Sequence, residues 1–512
     1  MKKVKIGKDV IESLTLGMYE DSRFIFREYV QNSADQIDKA VELKILGSRD
    51  EGNIFINIDA VNKVIEFEDN ATGIKNDDFE SILTNIAQST KDRGKDKGFR
   101  GIGRLGGLGY CEKLVFETSY KGENIKNIMV WDAKLLKEII NDRSQKEEAS
   151  EVIEKITNRK QVSEDVDKHY FKVILQDVSN KELLSIPEIR EYLSMVAPIP
   201  FEGHFIFKNK IFDELKKFYL SLDEYKIFIN TEQIFKAYKT IIKDNIGKTK
   251  DDIFDVKFRI LYSDEKPIAF VWYGISKTFE LIPAKFNLYR GFRLRKGNIQ
   301  IGSEYTLRKY HKDPRFHFYY IGEVHAFSTD LIPNARRDSF LENRIYKDFE
   351  RELKSLFMED LHSVTYAVSG IKSANRKVEQ FENVKKIYEE TKQKGFTSTE
   401  EKLRMEQQLK ESKEKAEEGK KELDKLKSKY KEHEVVNKIY EKVVTTENVN
   451  LGILEGHDDE NGNEKIKYRT DSLSKLDKSQ RKLISRIYKV IDDKLTPDLA
   501  ENIKYWIEQE FK

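Results

Sequence analysis

Glu28, Asn32 and Asp35 follow one another at spacings of four and three residues. On a helix of 3.6 residues per turn they fall within an arc of about 60°. One face therefore presents a carboxylate, a carboxamide and a second carboxylate. Phe24, Ile25, Tyr29, Val30 and Ile37 surround them, so the helix is too apolar to be simply solvated, and its polar stripe should line a cavity. There Glu28 can take a proton from an attacking water. Asn32 offers a neutral oxygen to a magnesium ion that draws its other ligands from phosphates and waters. Taken alone, the same stripe is equally the polar outer face of an ordinary amphipathic helix.

Two further stretches supply complementary chemistry. In Glu68-Asp69-Asn70-Ala71-Thr72-Gly73-Ile74 a carboxylate closes a strand and a glycine follows four residues on. A buried Asp69 can accept a hydrogen bond from an exocyclic amine, which selects adenine over guanine. Gly73 lets the backbone approach a base. By itself the stretch also reads as a plain Asp-Asn turn. Gly98-Phe99-Arg100-Gly101-Ile102-Gly103 then places three glycines in six residues, with more at 106, 107 and 109. Glycine amides at a helix start make an anion site; the alternative is a tightly packed helix entry. The glycines follow a charged loop, not a strand, against a Rossmann turn, and there is no GxxxxGK[ST] loop.

The elements that must position these residues follow from periodicity. Asp9 to Ala40 reads as helix broken near Glu20-Asp21, Ile54–Ile58 and Val64–Phe67 as strands, and Phe79 to Ala87 as a short helix. Ser89 to Lys97 reads as a polar loop; Leu114–Thr118, Ile128–Trp131 and Phe171–Leu175 are further strands, and 140–168 a charged helical surface insertion. Four parts emerge: 1–185, 186–345, 346–440 and 441–512. The second has strands at Phe258–Tyr262, Ile268–Tyr273 and Tyr319–His325. Its basic run Arg290–Lys296 reads as an anion or partner site or as an exposed strand edge. The third is a long helical arm. Leu409, Ala416, Leu423 and Tyr430 repeat at seven, but Ser412 and Gly419 spoil the second seam, so it reads as an antiparallel hairpin, a weak dimer helix or a one-sided solvated helix. Thr397-Ser398 supplies an N-cap after Gly395. The last part is a small helical module whose second helix opens at Thr496-Pro497.

Composition bounds the partners. Among 512 residues, 92 Lys+Arg against 90 Asp+Glu leave a net charge of +2, which gives no global case for nucleic acid or an anionic membrane. The single cysteine, Cys111, fits a reducing compartment. The N-terminus lacks an apolar signal core, and no apolar run reaches the ~18–20 residues of a membrane span. The expectation is a soluble cytoplasmic protein with no membrane partner.

Together the three stretches resemble the GHKL ATPase superfamily of gyrase, Hsp90, histidine kinases and MutL. Met18 to Asn32 resembles the Hsp90 N-box without gaps, Asp69 to Ser89 its adenine-binding segment, and Gly98 to Thr118 its glycine box and following strand. The resemblance implies an α+β protein: a two-layer α/β sandwich of the Bergerat type, then an S5-like α/β middle domain and a helical C-terminal region. It implies ATP and Mg2+ as ligands. Glu28 would be the general base and Asn32 the magnesium ligand. Asp69 would read the adenine amine, with Thr118 supporting it through water. Gly98, Gly101 and Gly103 would approach the phosphates, and 89–97 would form a short lid with Lys91 as a phosphate contact. Leu331 to Phe340 resembles the middle-domain loop that sends a basic residue to the γ-phosphate, which nominates Arg337, with Arg336 as fallback. Ala71 departs from the family's glycine, and the late Gly-Thr is replaced near His169-Tyr170-Phe171. The resemblance covers roughly 1–345, and residues beyond 345 do not resemble the Hsp90 dimerisation domain.

The leading expectation is an Hsp90-like ATPase, a nucleotide-driven switch forming a homodimer and engaging an unknown protein partner. The alternatives are a MORC- or MutL-like nucleic-acid clamp, and a nucleotide sensor in a bacterial defence system. No phosphoacceptor histidine helix precedes the motifs, against a histidine kinase, and no metal-binding cleavage domain is recognisable, against a topoisomerase.

Overall fold

The computed structural model describes residues 6–15, 21–86, 103–144, 146–444, 467–473 and 475–511. The chain divides into two units, Met1–His362 and Ser363–Lys512.

The first unit opens with helices α1 (Asp9–Thr15) and α2 (Phe24–Glu42). The hairpin of β1 (Asn53–Asp59) and β2 (Val64–Asp69) follows. Its alternation is that of a half-buried sheet: Ile54, Ile56 and Ile58 turn inward from β1, and Ile65, Phe67 and Asp69 from β2. Phe67 meets the rings of Phe26 and Tyr29 on α2, with centroids 5.1 and 4.7 Å away. Because strand side chains alternate faces, Asp69 shares the α2 side of the sheet with Phe67. After α3 (Asn76–Thr84) comes a 3-10 segment, Gly103–Gly109. Then come β3 (Lys113–Ser119), β4 (Ile125–Asp132), α4 (Ala133–Asn141), α5 (Ala149–Ile156), β5 (Thr157–Ser163) and β6 (Tyr170–Gln176). Helices α6 (Ile186–Val196) and α7 (Lys208–Lys217) precede β7 (Lys226–Ile229) and β8 (Glu232–Gln233). The strands form one mixed sheet, β5-β4-β3-β6-β2-β1-β7-β8, with β7 parallel to β1.

The insertion expected to be helical over 140–168 is helical only through Ile156; β5 then pairs with β4. Its sequence, TNRKQVS, hides the strand because it is an edge strand whose side chains are mostly exposed.

The second sheet uses β9 (Ile241–Lys243), β10 (Thr249–Ser263), β11 (Lys266–Ser276), β12 (Gly291–Lys296), β13 (Ile299–Ile301) and β14 (Ile321–Ala326). Their order is β13-β12-β14-β11-β10-β9. The basic run Arg290–Lys296 is therefore no exposed edge: β12 lies between β13 and β14, and Arg293 and Arg295 are buried. Glu323 on β14 explains how a charge is tolerated there. Its carboxylate pairs with Arg295, with Lys236 Nζ at 3.0 Å and with His325 Nε2 at 2.9 Å, and accepts from Tyr238 and Trp272. A buried pair so fully bonded stands; stripped of one partner it would cost several kcal/mol. Helix α8 (Arg344–Lys354) and a π-helical turn, Ser355–Asp360, follow.

In the second unit, α9 (Leu361–Lys394) and α10 (Thr399–Lys429) run antiparallel. Phe381 clusters with Leu409 and Ala416, Lys377 pairs with Glu422 at 3.5 Å, and Tyr388 reaches Glu406. Gly419 packs directly on the α9 backbone: a Cβ there would lie 2.7 Å from the Ala374 carbonyl. Gly395 takes φ +92°, and Ser398 caps α10 by accepting from Glu401 N. Helix α11 (Glu434–Val443) is short. Helices α12 (Lys478–Lys494), with an Asp477/Gln480 capping box, and α13 (Pro497–Glu510) close the chain. Among the described residues, no helix is long and apolar enough to cross a membrane.

Candidate active site

Helix α2 carries the centre of the site. Its apolar face fixes it on the sheet, and the remaining arc holds Glu28 and Asp35, both buried, and half-buried Asn32. The 3-10 segment lies along α2. Tyr29 OH donates to Arg104 O at 3.0 Å and accepts from Gly107 N at 3.2 Å. A Cβ on Gly107 would meet that hydroxyl at 2.6 Å, and one on Gly103 would meet Glu28 Oε2 at 2.5 Å. The glycines here are thus contact requirements: Gly107 admits the tyrosine, and Gly103 makes room for the carboxylate. Arg104, whose Nη2 donates to Asn85 O, is held down to about 10 by burial and stays charged at neutral pH.

Glu28 Oε1 is buried and accepts no hydrogen bond from the described residues. Two guanidiniums flank it: Arg337 Nε at 3.2 Å and Arg27 Nη2 at 3.6 Å. Arg337 comes from a tight hairpin in which Pro333 bridges to Phe340 and Asn334 N donates to Ser339 O. At its turn Arg337 takes φ +56°, the left-handed region that costs an L-residue about 1–2 kcal/mol. Gly302 N clamps it by donating to Arg337 O at 2.7 Å. Arg336, beside it, is exposed. The structure thus brings Arg337, and not Arg336, to Glu28.

A second set of residues gathers around the end of β2. Asp69 is 1% exposed, and its Oδ1 accepts from Ala71 N at 3.2 Å. Asp69 and Thr118 both register with Phe171 of β6, from its two sides, so they share the α2 face of the sheet. The Thr118 hydroxyl donates to Tyr170 O at 2.8 Å and accepts from Ile74 N at 2.9 Å. That bond ties the Asp69–Ile74 turn to β3. Gly73 takes φ +66°, and a Cβ there would lie 1.9 Å from the Ser119 carbonyl, so no other residue fits without moving the backbone. The two departures from the family pattern meet here, His169 Nδ1 lying 2.7 Å from Ala71 O.

Lys91, Gly98 and Gly101 lie outside the described residues. Sequence reasoning missed Arg27 and Gln31. Gln31 is 1% exposed, and among the described residues neither of its amide atoms, nor Arg27 Nε or Nη2, has a hydrogen-bond partner. Their only sequence signal is that long polar side chains flank Glu28 on a mostly buried helix. Among the described residues no group of three His, Cys, Asp or Glu could hold a metal. A magnesium ion held largely by phosphates and waters needs few protein oxygens. Half-buried Asn32, on the arc of Glu28, fits that requirement.

The arrangement sets a buried carboxylate between two guanidiniums beside a glycine-rich segment. Residues 20–165 match the histidine kinase-, DNA gyrase B- and HSP90-like ATPase family. This N-terminal segment is a GHKL-superfamily domain, of the kind that binds and hydrolyses ATP. No curated protein matches the chain.

Proposed function

We propose that this chain is a Mg2+-dependent ATPase in which the Glu28–Arg337 contact is the nucleotide switch. The observation that carries the reading is the 3.2 Å approach of Arg337 Nε to Glu28 Oε1 in a buried setting. Asp69 accepts the adenine amine, and Gly73 lets the turn that follows it close on the Ser119 carbonyl. Thr118 holds that turn through Ile74 N and keeps a lone pair for a bridging water. Asn32 supplies the protein oxygen to magnesium, which when bound neutralises phosphate charge. Gly103 keeps the Glu28 carboxylate clear. Lys91, Gly98 and Gly101 remain the proposed phosphate contacts.

The γ-phosphate, a dianion, competes with Glu28 for the Arg337 guanidinium. As Arg337 turns to the phosphate it stabilises the charge that develops there. Glu28 keeps only the more distant Arg27 beside it at that moment and becomes the acceptor for the proton of the attacking water. Base and cation are thereby engaged together only when a triphosphate is present, so the 333–340 hairpin reports nucleotide state. Hydrogen exchange of this hairpin tests the reading. A non-hydrolysable ATP analogue with Mg2+ is expected to change protection at 333–340 while ADP does not; the same pattern with both nucleotides would refute it.

A further inference from the structure

The α12–α13 pair exposes more apolar surface than a finished helical hairpin should. Its inner contacts are complete: Ile484, Tyr488 and Leu473 are buried, with Leu476, Ile491 and Ile507 packed against them. Lys504 Nζ meets Asp492 at 2.5 Å and Tyr488 OH reaches Lys504 O, across a two-residue connection, so the helices run antiparallel. Yet Leu483, Ile487 and Val490 on α12 are 62%, 44% and 59% exposed, and Leu499 and Trp506 on α13 are 52% and 65% exposed. These are not scattered residues. Leu483, Ile487 and Val490 recur at i, i+4 and i+7, and Leu499 and Trp506 at i and i+7, each a stripe along one helix side.

Each stripe sits one position before the inward-facing residues of its helix: 483, 487 and 490 before 484, 488 and 491, and 499 and 506 before 500 and 507. In an antiparallel pair, a 100° step back from the inner face turns both helices toward the same side. The two stripes therefore form one continuous apolar face, of the kind that marks an association site.

Charge selects the occupant. Helix α12 carries six Lys/Arg against two Asp, while α13 carries four Asp/Glu against one Lys. We infer that this face joins two copies of the chain in a four-helix bundle, with each α12 lying on the partner's α13. A two-fold axis parallel to the helices gives that pairing, sets basic against acidic helices twice, and buries both apolar faces. The perpendicular axis would set α12 on α12, which the like charges oppose.

The inference rests on this helix pair alone and is independent of the ATPase reading. Light scattering on the full chain tests it. The wild type is expected at twice 60.2 kDa at micromolar concentration. Ile487→Asp with Trp506→Asp, on the outer face only, is expected to weaken self-association at least ~100-fold while helix content holds. A second arm keeps the test independent of folding. Ile503 follows Leu499 by four residues on the same side of α13, so chains bearing Ile487→Cys mixed with chains bearing Ile503→Cys should cross-link, and each alone should cross-link far less; Cys111 is buried and does not compete. A monomeric wild type, an outer-face variant that stays dimeric, or equal cross-linking by Ile487→Cys alone would each overturn it.

Discussion

Replacing Arg337 by alanine and, separately, by glycine separates its chemistry from its backbone. Both changes delete a guanidinium whose Nε lies 3.2 Å from Glu28 Oε1, each side chain being 9% exposed. Removing one partner of a buried pair costs about 3–5 kcal/mol. Here Arg27 Nη2 remains 3.6 Å from the same oxygen, so about 2–3 kcal/mol is the expected loss of stability. The two variants should then part. At φ +56°, alanine bears about 1–2 kcal/mol of left-handed strain that glycine avoids, and glycine returns about 0.5–1 kcal/mol as unfolded-chain entropy. The glycine variant should therefore melt slightly higher, by roughly 1–3 °C for a unit of this size. Turnover should not follow stability. Both variants should lose about 10³-fold in kcat if Arg337 acts on the transferred phosphoryl, with ATP affinity changed less than about tenfold. Phosphate release at saturating Mg-ATP, calorimetric titration with ATP and thermal melts read the three quantities. Either variant retaining more than a tenth of the wild-type kcat, or turnover that tracks melting temperature between the two, would show that Arg337 does not act on the transferred phosphoryl.

Three other outcomes follow from the same geometry. Asp69→Asn presents an amide to the adenine amine in place of a carboxylate, and should weaken ATP binding at least ~10-fold; unchanged ATP affinity would remove Asp69 from the site. Gly103→Ala puts a methyl 2.5 Å from Glu28 Oε2, and should cut kcat about 10–100-fold with a nearly unchanged melting temperature; full turnover would show the carboxylate needs no such clearance. Burial pushes His311 and His317 down to about 3 and His325 to about 4. The unfolded chain, with histidines near 6.5, binds more protons, so stability is full above that pH and declines as pH falls toward 4, by roughly 1 kcal/mol per histidine at pH 5.5. A melting temperature unchanged between pH 7.5 and 5.5 would contradict this.

Much of the first sheet and the core of the site could be read from the chain because local pattern and tertiary role coincide there. Ile54, Ile56 and Ile58 alternate in sequence and in burial, and Glu28, Asn32 and Asp35 share an arc on a helix that the surrounding apolar residues fasten down. Legibility failed where the reason for a residue lies across the fold. The β5 sequence has no apolar alternation because its side chains face outward. Arg293 and Arg295 suggested a surface until Glu323, Lys236 and the Met195 carbonyl were found around Arg295. Gly419 counted against a helical seam, yet its missing side chain lets α10 lie against the Ala374 carbonyl of α9. The resemblance put Arg337 ahead of Arg336, but the physical reason lies in the fold: a left-handed turn clamped by Gly302 buries Arg337 beside Glu28.

Turnover by Glu28→Ala measures whether Glu28 is the base of an ATP-hydrolysing site. Phosphate release and ATP affinity are measured on the same preparation with Mg2+ present. ATP binding is expected within a few-fold of wild type, with kcat reduced at least ~100-fold. Wild-type turnover by Glu28→Ala would contradict it.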